Sequence, residues 1–587
     1  MSTKRIHYFH RRGYNYFNKR CLAGILTGFT FLILAANENF TDINSLPSLI
    51  DNVLNGMKKK DVRELFSSTP KYEDLNVDHQ KRCEIGILND PEDPRFYNIL
   101  LEDEALQYKP CNDTNLAASA NNSKIALLDA TRTSYEQGEV IHVIVQIYDG
   151  YGYKKTTGGD LLRATIHDRE YNNHSSGVVT DNLDGTYLVE IKAFWTGPSI
   201  IIIELAYTRE IITAIYRVRT EVLATRNVYA QFQSLNDSEE VVCHPNNDRL
   251  LEATQNAALC NMTDINSGMS FYCVKPKHQN LTCEHWTLVS SKTPYPALSF
   301  TNCESTLLKR IHTNLTETIS VDIEPESTCK SPPRVPISKY KITKTWTSRE
   351  PTGYFIGKKW NFVQIEGINN SCINDCIRNK RIYMIGDSTL RHWYLNLKEQ
   401  TKCVATTGKW TKMKWHEASE CELKDIGFKM GWYPHSQPFC VGNTWENAEH
   451  THISIARRID NIPDNENAIV VFQLFMHQLA FHHTVAQGRY KLIRKSVERL
   501  LRRNKNAVVL IKGPHTFSKS RAAGRLNDCY VGLFNKILYD IFKGLHDRVV
   551  LLNNQDATIA AHTAENHPPQ YIVTAMLEQM FYFACRK

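Results

Sequence analysis

A chain of 587 residues that is 42% hydrophobic, 22% charged and 10% aromatic has the composition of a globular protein of several domains, which excludes a disordered or fibrous chain. Only one apolar run approaches membrane length, so a multi-span transporter is excluded as well. The formal net charge of +8 is small for this length and spread along the chain, and it leaves no footprint for nucleic acid.

Residues 1–20 form a basic tail, with Lys4, Arg5, Arg11, Arg12, Lys19 and Arg20 and no acid. Residues 21–36 follow as an uncharged run rich in Leu, Ile, Phe and Ala. At 1.5 Å per residue the run would span about 24 Å, short of the roughly 30 Å of an average hydrocarbon core. A cleaved signal peptide would explain the basic start and the small residues Ala35 and Ala36, but Leu34 then falls at the −3 position. An uncleaved signal anchor suits the long basic stretch and the thinner membranes of the early secretory route. The chain then reads as a single-pass protein of the Golgi or secretory-pathway membrane with its C-terminus in the lumen, secretion after cleavage being the alternative.

Two counts point to the same compartment. Fifteen of the 16 cysteines follow the apolar run, as do nine Asn-x-Ser/Thr sequons at Asn39, Asn112, Asn121, Asn173, Asn236, Asn261, Asn280, Asn314 and Asn369. Asn39 sits too near the membrane to count as an acceptor. No CxxC pair occurs, and Cys372 and Cys376 form the only close pair, so the cysteines read as disulfides with one left over rather than as zinc ligands.

Residues 37–123 read as a polar stem. Residues 124–226 turn to β: Ile141, Val143, Val145 and Ile147 alternate with less apolar neighbours, Asp184-Gly185 marks a hairpin, and residues 199–206 look like a buried strand. Several short strands in about 100 residues predict a β-sandwich. Residues 227–345 form a cysteine-rich connector stapled by Cys243, Cys260, Cys273 and Cys283. From 346 to 587 the pattern is α/β, with strands at 381–385, 468–475, 507–512 and 548–552 and helices at 389–400, 485–503, 526–545 and 571–583. Such alternation predicts a parallel sheet covered by helices. The basic stripe Arg489, Lys491, Arg494, Lys495, Arg499, Arg502 and Arg503 reads as the solvated face of one helix.

Reactive groups in such sheets collect past the C-terminal ends of strands. Gly386-Asp387-Ser388 lies there, between a strand and a helix. Gly would allow a sharp turn, Ser would present its hydroxyl, and the helix N-terminus would aim N–H groups at a developing oxyanion. A serine hydroxyl needs a general base, and His567 is the best candidate because it follows the last strand and precedes Pro568-Pro569, which restrict its backbone. Adjacent histidines on a regular element cannot both face one ion, so His482 and His483 predict no metal site.

These residues carry a resemblance. RIYMIGDSTLRHWYLNLK at 381–398 resembles the nucleophile block of the PC-esterase branch of the SGNH, or GDSL-like, hydrolases, and DATIAAHTAENHPP at 556–569 is similar to its terminal histidine block. Upstream, DNLDGTYLVEIKAFWTGPSIIIIEL at 181–205 resembles a filamin-type immunoglobulin-like strand pair, and FYCVKP at 271–276 is similar to the cysteine-rich tail of neurexophilins. Together they resemble the neurexophilin and PC-esterase domain (NXPE) family over about 120–587. The resemblance implies Ser388 as nucleophile and His567 as base. The chain departs from the pattern where a small Gly is Phe475, leaving His477 of that turn, and where the usual acid is Ala564. Asp556 or Glu565 could stand in for the acid, and Gly431 or His477 could supply an oxyanion donor. The function implied is acyl transfer or ester hydrolysis on a glycan, with no tightly bound cofactor and with an acetyl donor such as acetyl-CoA if a transferase. The alternative is a non-catalytic, neurexophilin-like ligand that binds a cell-surface protein through the immunoglobulin-like domain.

Overall fold

The computed structural model describes residues 83–85, 99–170, 172–292, 298–329, 334–366, 370–407, 417–439, 446–447, 453–517 and 527–586. The basic tail, the apolar run at 21–36, the stem as far as residue 82, Asn39 and Asn369 lie outside these residues. All described residues belong to one compact unit, Val77–Lys587. None of its described helices is long and apolar enough to cross a membrane.

Mixed sheets and helices make up this unit. An antiparallel sheet runs in the order Lys124–Leu127, Val140–Gln146, Thr186–Lys192, Val178–Asp181. It faces an eight-stranded sheet centred on Gly197–Tyr207, which lies between Leu161–Asp168 and Ile319–Glu324. The predicted alternation holds: Ile141, Val143 and Val145 are fully buried in a core shared with Ala164, Ile166, Ile201, Ile203 and Val321 of the second sheet. Gly185 closes the predicted hairpin at φ 86°, and a Cβ there would lie 2.0 Å from the Lys155 carbonyl oxygen. Three pieces of this sheet come from outside 124–226: Thr313–Asn314, Ile319–Glu324, and the hairpin Gly353–Ile356 with Lys359–Phe362, which adds to Asn173–Ser176. They are short, and Ile319–Glu324 buries only Val321 and Ile323, so each offers little pattern by itself.

The cysteine-rich region folds as a six-stranded sheet around Phe232, Phe271 and Trp286. Two of its strands are only three residues long, and Cys243–Cys273 and Cys260–Cys283 tie them in place. Strands that short carry no readable periodicity; the disulfides do the work of length. Four further bridges join Cys83–Cys329, Cys111–Cys303, Cys376–Cys585 and Cys403–Cys421, leaving Cys529 as the free cysteine among the described residues. Six bridges fit an oxidising, secretory or extracellular compartment. Of the described sequons, Asn112, Asn121, Asn236, Asn261, Asn280 and Asn314 are exposed, whereas Asn173 is half-buried on a strand.

The C-terminal region contains five parallel strands, β1 (Arg381–Gly386), β2 (Phe428–Pro434), β3 (Ala468–Phe472), β4 (Val508–Lys512) and β5 (Val549–Leu552). Their order is β2-β1-β3-β4-β5, with Ser419–Leu423 antiparallel beside β2. Successive residues go to opposite faces. Ile382, Met384, Val471 and Leu510 pack under α1 (Ser388–Thr401) and α4 (Gln570–Ala584). Tyr383, Ile385, Val470 and Ile511 pack under α2 (His483–Arg503) and α3 (Val531–Phe542). A helix not foreseen, Arg209–Glu221, buries Ile211, Ile212, Ile215 and Tyr216 in this second layer. The stripe on α2 is not wholly solvated: Arg489 is buried and donates to the carbonyls of Gln437 and Ser270.

The Cys376–Cys585 bridge closes a sequence separation of 209 residues and pins the end of α4. Replacing both cysteines by serine is expected to destabilise the protein by about 2–5 kcal/mol, read as a lower denaturation midpoint.

Candidate active site

In the order β2-β1-β3, β1 sends its connection one way and β3 the other, and the crevice past the C-terminal ends of β1 and β3 is where open α/β sheets bind ligands. Gly386, Asp387 and Ser388 occupy that point. Gly386 is required by crowding and not by a left-handed turn: a Cβ there would lie 2.6 Å from the Gln473 carbonyl oxygen and 2.9 Å from Leu390 Cδ1. This corrects the sharp-turn role expected for it.

Asp387 is fully buried and caps α1. Its Oδ1 accepts from Thr389 N at 2.9 Å and Thr389 Oγ1 at 2.7 Å, and its Oδ2 accepts from Met476 N at 3.2 Å. Burial pushes its pKa up, but the charges of His477 and Lys512 and the Thr389 hydrogen bonds outweigh that and hold it below the usual carboxylate value. Asp387 therefore stays ionised and works as a cap and anchor.

Ser388, the first residue of α1, is half-buried, and its Oγ lies 2.9 Å from His567 Nε2. Its N–H belongs to the first helical turn, whose donors have no acceptor within the helix. His567 keeps an exposed edge. Desolvation by its surroundings lowers its pKa from the ordinary value; Asp387 opposes this, and Arg391 and Lys512 add to it. Among the described residues no hydrogen-bond partner faces His567 Nδ1. Asp556 is directed elsewhere, its Oδ2 accepting from Thr352 N at 2.7 Å and from Thr352 Oγ1 at 2.5 Å. Glu565 is exposed, and its backbone N–H donates to Thr563 Oγ1. Neither carboxylate is brought to the imidazole.

The loop that carries His567 is held through its backbone instead. His515 Nε2 donates to the carbonyl of Asn566, the preceding residue, at 3.1 Å. His515 Nδ1 accepts from Lys512 Nζ at 3.4 Å, and Lys512 also donates to Thr389 Oγ1 at 3.2 Å and Gln473 Oε1 at 3.3 Å. This buried chain links the residue after Ser388 to the residue before His567. Burial, with Lys512 alongside, brings the His515 pKa down to about 3, so it is neutral with its proton on Nε2. Further back, His562 bonds Thr165 Oγ1 at 2.7 Å and His167 Nε2 at 2.8 Å, tying the same loop to the eight-stranded sheet. Sequence reasoning missed Lys512 and His515. A lysine closing the apolar strand VVLIK, with a histidine three residues on, was the available signal.

His477 lies in the turn after β3, with Nδ1 2.9 Å from His435 Nε2. His435 is buried and donates Nδ1–H to the Ser436 carbonyl at 2.7 Å, so its Nε2 accepts from His477. Phe475 points away from the crevice, its ring packed edge-on against Phe534 at 5.0 Å and Phe517 at 6.1 Å. Gly431 does not reach the site: it pairs with Tyr383 and Glu420 in mid-sheet, and the residue of β2 level with Gly386 is Pro434. The loop after β2 is clamped where Asn266 and Arg489 both donate to the Gln437 carbonyl, at 2.9 and 2.7 Å.

Chemically the arrangement offers a hydroxyl beside an imidazole at a helix N-terminus. The metal-donor group found among the described residues, Glu102 with His482 and His483, lies beyond the turn that carries His477. Two family models match the chain. The one described as NXPE family member 4-like, C-terminal domain, covers residues 360–585 and includes Ser388 and His567. The one described as Neurexophilin covers residues 108–297.

Burial brings the Lys512 pKa from 10.5 down to about 8, with Asp387 opposing. A lysine with a depressed folded pKa binds its proton more readily when unfolded, so acid favours unfolding. The penalty is full below pH 8 and is relieved as pH rises towards 10.5. In parallel denaturant titrations the wild type is expected to gain stability over that window relative to Lys512→Met.

Proposed function

We propose that this chain, which belongs to the NXPE family, is a secretory-pathway enzyme that moves or removes an acyl group, acetyl first, on a glycan hydroxyl. The observation that carries the reading is the 2.9 Å contact between Ser388 Oγ and His567 Nε2 at the N-terminus of α1. An SGNH-type hydrolase domain preceded by a filamin-like immunoglobulin sandwich accommodates that contact and the two sheet systems. The six disulfides support a lumenal setting, and anchoring in a Golgi-type membrane by residues 21–36 completes the proposal.

In the first step His567 Nε2 takes the Ser388 proton as Oγ attacks the acyl carbonyl. The tetrahedral oxyanion is met by N–H groups at the start of α1. Its collapse breaks the bond to the leaving alcohol or thiol, which receives the proton from His567. A sugar hydroxyl, or water, then gives its proton to His567 and attacks the acyl-enzyme carbonyl; collapse of that second tetrahedral intermediate breaks the bond to Ser388 Oγ, which takes the proton back from His567. A thioester such as acetyl-CoA would be the donor for the transferase branch. With no carboxylate on His567 Nδ1 among the described residues, imidazolium formation is stabilised less than in a full triad, and a correspondingly slow turnover is expected.

A second reading has its own support. Residues 108–297 match the Neurexophilin model, and a His567 Nδ1 that meets no partner among the described residues suits a domain that has kept an esterase fold while serving as a ligand. Fluorophosphonate labelling separates the two. The enzyme reading predicts an adduct on Ser388, none with Ser388→Ala, and a rate at least about a hundredfold lower with His567→Ala. Absence of an adduct on folded wild-type protein would favour the ligand reading.

The base must be neutral to act, so the labelling rate is expected to rise with pH through the His567 pKa. That midpoint should lie below 6.5, so reactivity persists in a mildly acidic lumen.

A further inference from the structure

His482 and His483 are adjacent, and on a regular helix or strand their side chains would diverge. They do not sit on a regular element. His482 is the N-cap of α2, with φ −58° and ψ 142°, and His483 is the first helical residue. The break brings the imidazoles together, with ring centroids 4.2 Å apart. Both turn to one carboxylate. His482 Nε2 lies 2.8 Å from Glu102 Oε2, and His483 Nδ1 lies 3.1 Å from the same oxygen. Glu102 begins the short helix Glu102–Ala105, so the group joins two segments 380 residues apart in sequence.

We propose that Glu102, His482 and His483 form a zinc site that fastens the segment around residue 102 to the N-terminus of α2. The three donor atoms lie within 4.8 Å of one another. Tetrahedral zinc with bonds of about 2.0–2.2 Å sets its ligands about 3.3–3.5 Å apart, so small outward shifts of the donors admit the ion. Two imidazoles and one carboxylate suit zinc, whereas calcium and magnesium call for oxygen donors. Zinc would take the His482 Nε2 lone pair, which moves that ring's proton to Nδ1. Nδ1 now accepts from Thr484 N–H at 3.4 Å as the helix cap; with the proton moved it would instead donate to Thr484 Oγ1, 2.8 Å away, the kind of outer hydrogen bond that fixes the tautomer of metal-binding histidines. His483 would bind through Nδ1 and leave Nε2–H directed outward.

The charges around the group are mixed. Asp103 is exposed and adds negative charge near His483 but is not among the three converging donors, so water would complete the coordination. Arg249 is the opposing charge felt by Glu102, but its Nη2 is spent on the carbonyls of Arg219, Thr220 and Val222. Without an ion, His482 alone hydrogen-bonds the carboxylate, while His483 Nδ1 stands 3.1 Å from the same oxygen with no hydrogen bond to it. A divalent cation would accept a lone pair from each ring and draw the three groups together.

The test uses the intact chain, purified without a polyhistidine tag, stripped with chelator and titrated with Zn²⁺. Expected are one tight equivalent, a higher melting temperature with Zn²⁺ than with Mg²⁺, and weakening as pH falls and the imidazoles take up protons. Co²⁺ should give the visible spectrum of a tetrahedral nitrogen and oxygen site with no thiolate charge-transfer band. Glu102→Gln keeps a hydrogen-bond acceptor but removes the anionic ligand. It and His483→Ala should each weaken binding by more than about tenfold while leaving the metal-free fold intact by circular dichroism. Binding unchanged in both variants, or no tight equivalent in the wild type, overturns the proposal.

Discussion

The C-terminal region is organised around one buried negative charge. Asp387 ends the switch from β1 to α1, and its two oxygens gather the N-terminal turn of α1 and the turn after β3. Trp432 of β2 donates to its backbone carbonyl at 3.2 Å. A carboxylate buried this completely persists as an anion only if charge and hydrogen bonds meet it from several sides. Lys512 from β4 and His477 after β3 therefore have to be where they are. Three neighbouring strand ends are thus brought into register by one electrostatic requirement, and Ser388 inherits its position from it.

Against this rigid side, His567 stands on a loop secured in a different manner. In a full triad a carboxylate holds the imidazole directly and stabilises its cation. Here the holding is done one residue away, by His515 on the Asn566 carbonyl, and five residues away, by His562 on Thr165 and His167. Position and electrostatic support, which a triad acid supplies together, are separated. The eight-stranded sheet consequently takes part in placing a side chain of the α/β region, which gives the two regions a reason to travel in one chain.

The α/β layer order was readable from sequence because its strands are apolar on both faces and its helices are long. The predicted segments at 381–385 and 485–503 differ from β1 and α2 by only a residue or two at their ends. Ser388 and His567 were legible as candidates from their places past strand ends and from the resemblance; that they meet across the ends of β3 and β4, 2.9 Å apart, is a fact of the loop after β5 that strand order alone does not dictate. What escaped were features set by tertiary contact. β2 was not recognised, and Gly431, offered as an oxyanion donor, lies in mid-strand. Gly386 answers to the close backbone of Gln473, which no local pattern announces. Lys512 looked like the polar end of a strand; its importance comes from what surrounds it. The convergence of His482 and His483 depends on a helix cap one residue wide.

One property of the connectivity bears on how such a chain is made. The eight-stranded sheet opens with Ser134–Glu136 and is not complete until Lys359–Phe362, with the six-stranded sheet folded in between. That inner sheet in turn takes its edge strand, Glu446–Asn447, from within the α/β region. A chain entering the lumen from its N-terminus cannot finish its domains one at a time; early strands must wait, with open edges, for partners not yet synthesised. Cys83 likewise waits for Cys329. Such an order of assembly leaves open strand edges and unpaired thiols through much of the chain's synthesis, in whatever oxidising compartment it folds. A truncation before residue 446 would also remove the edge strand of a sheet whose first strand, Asn227–Gln233, lies more than 200 residues earlier.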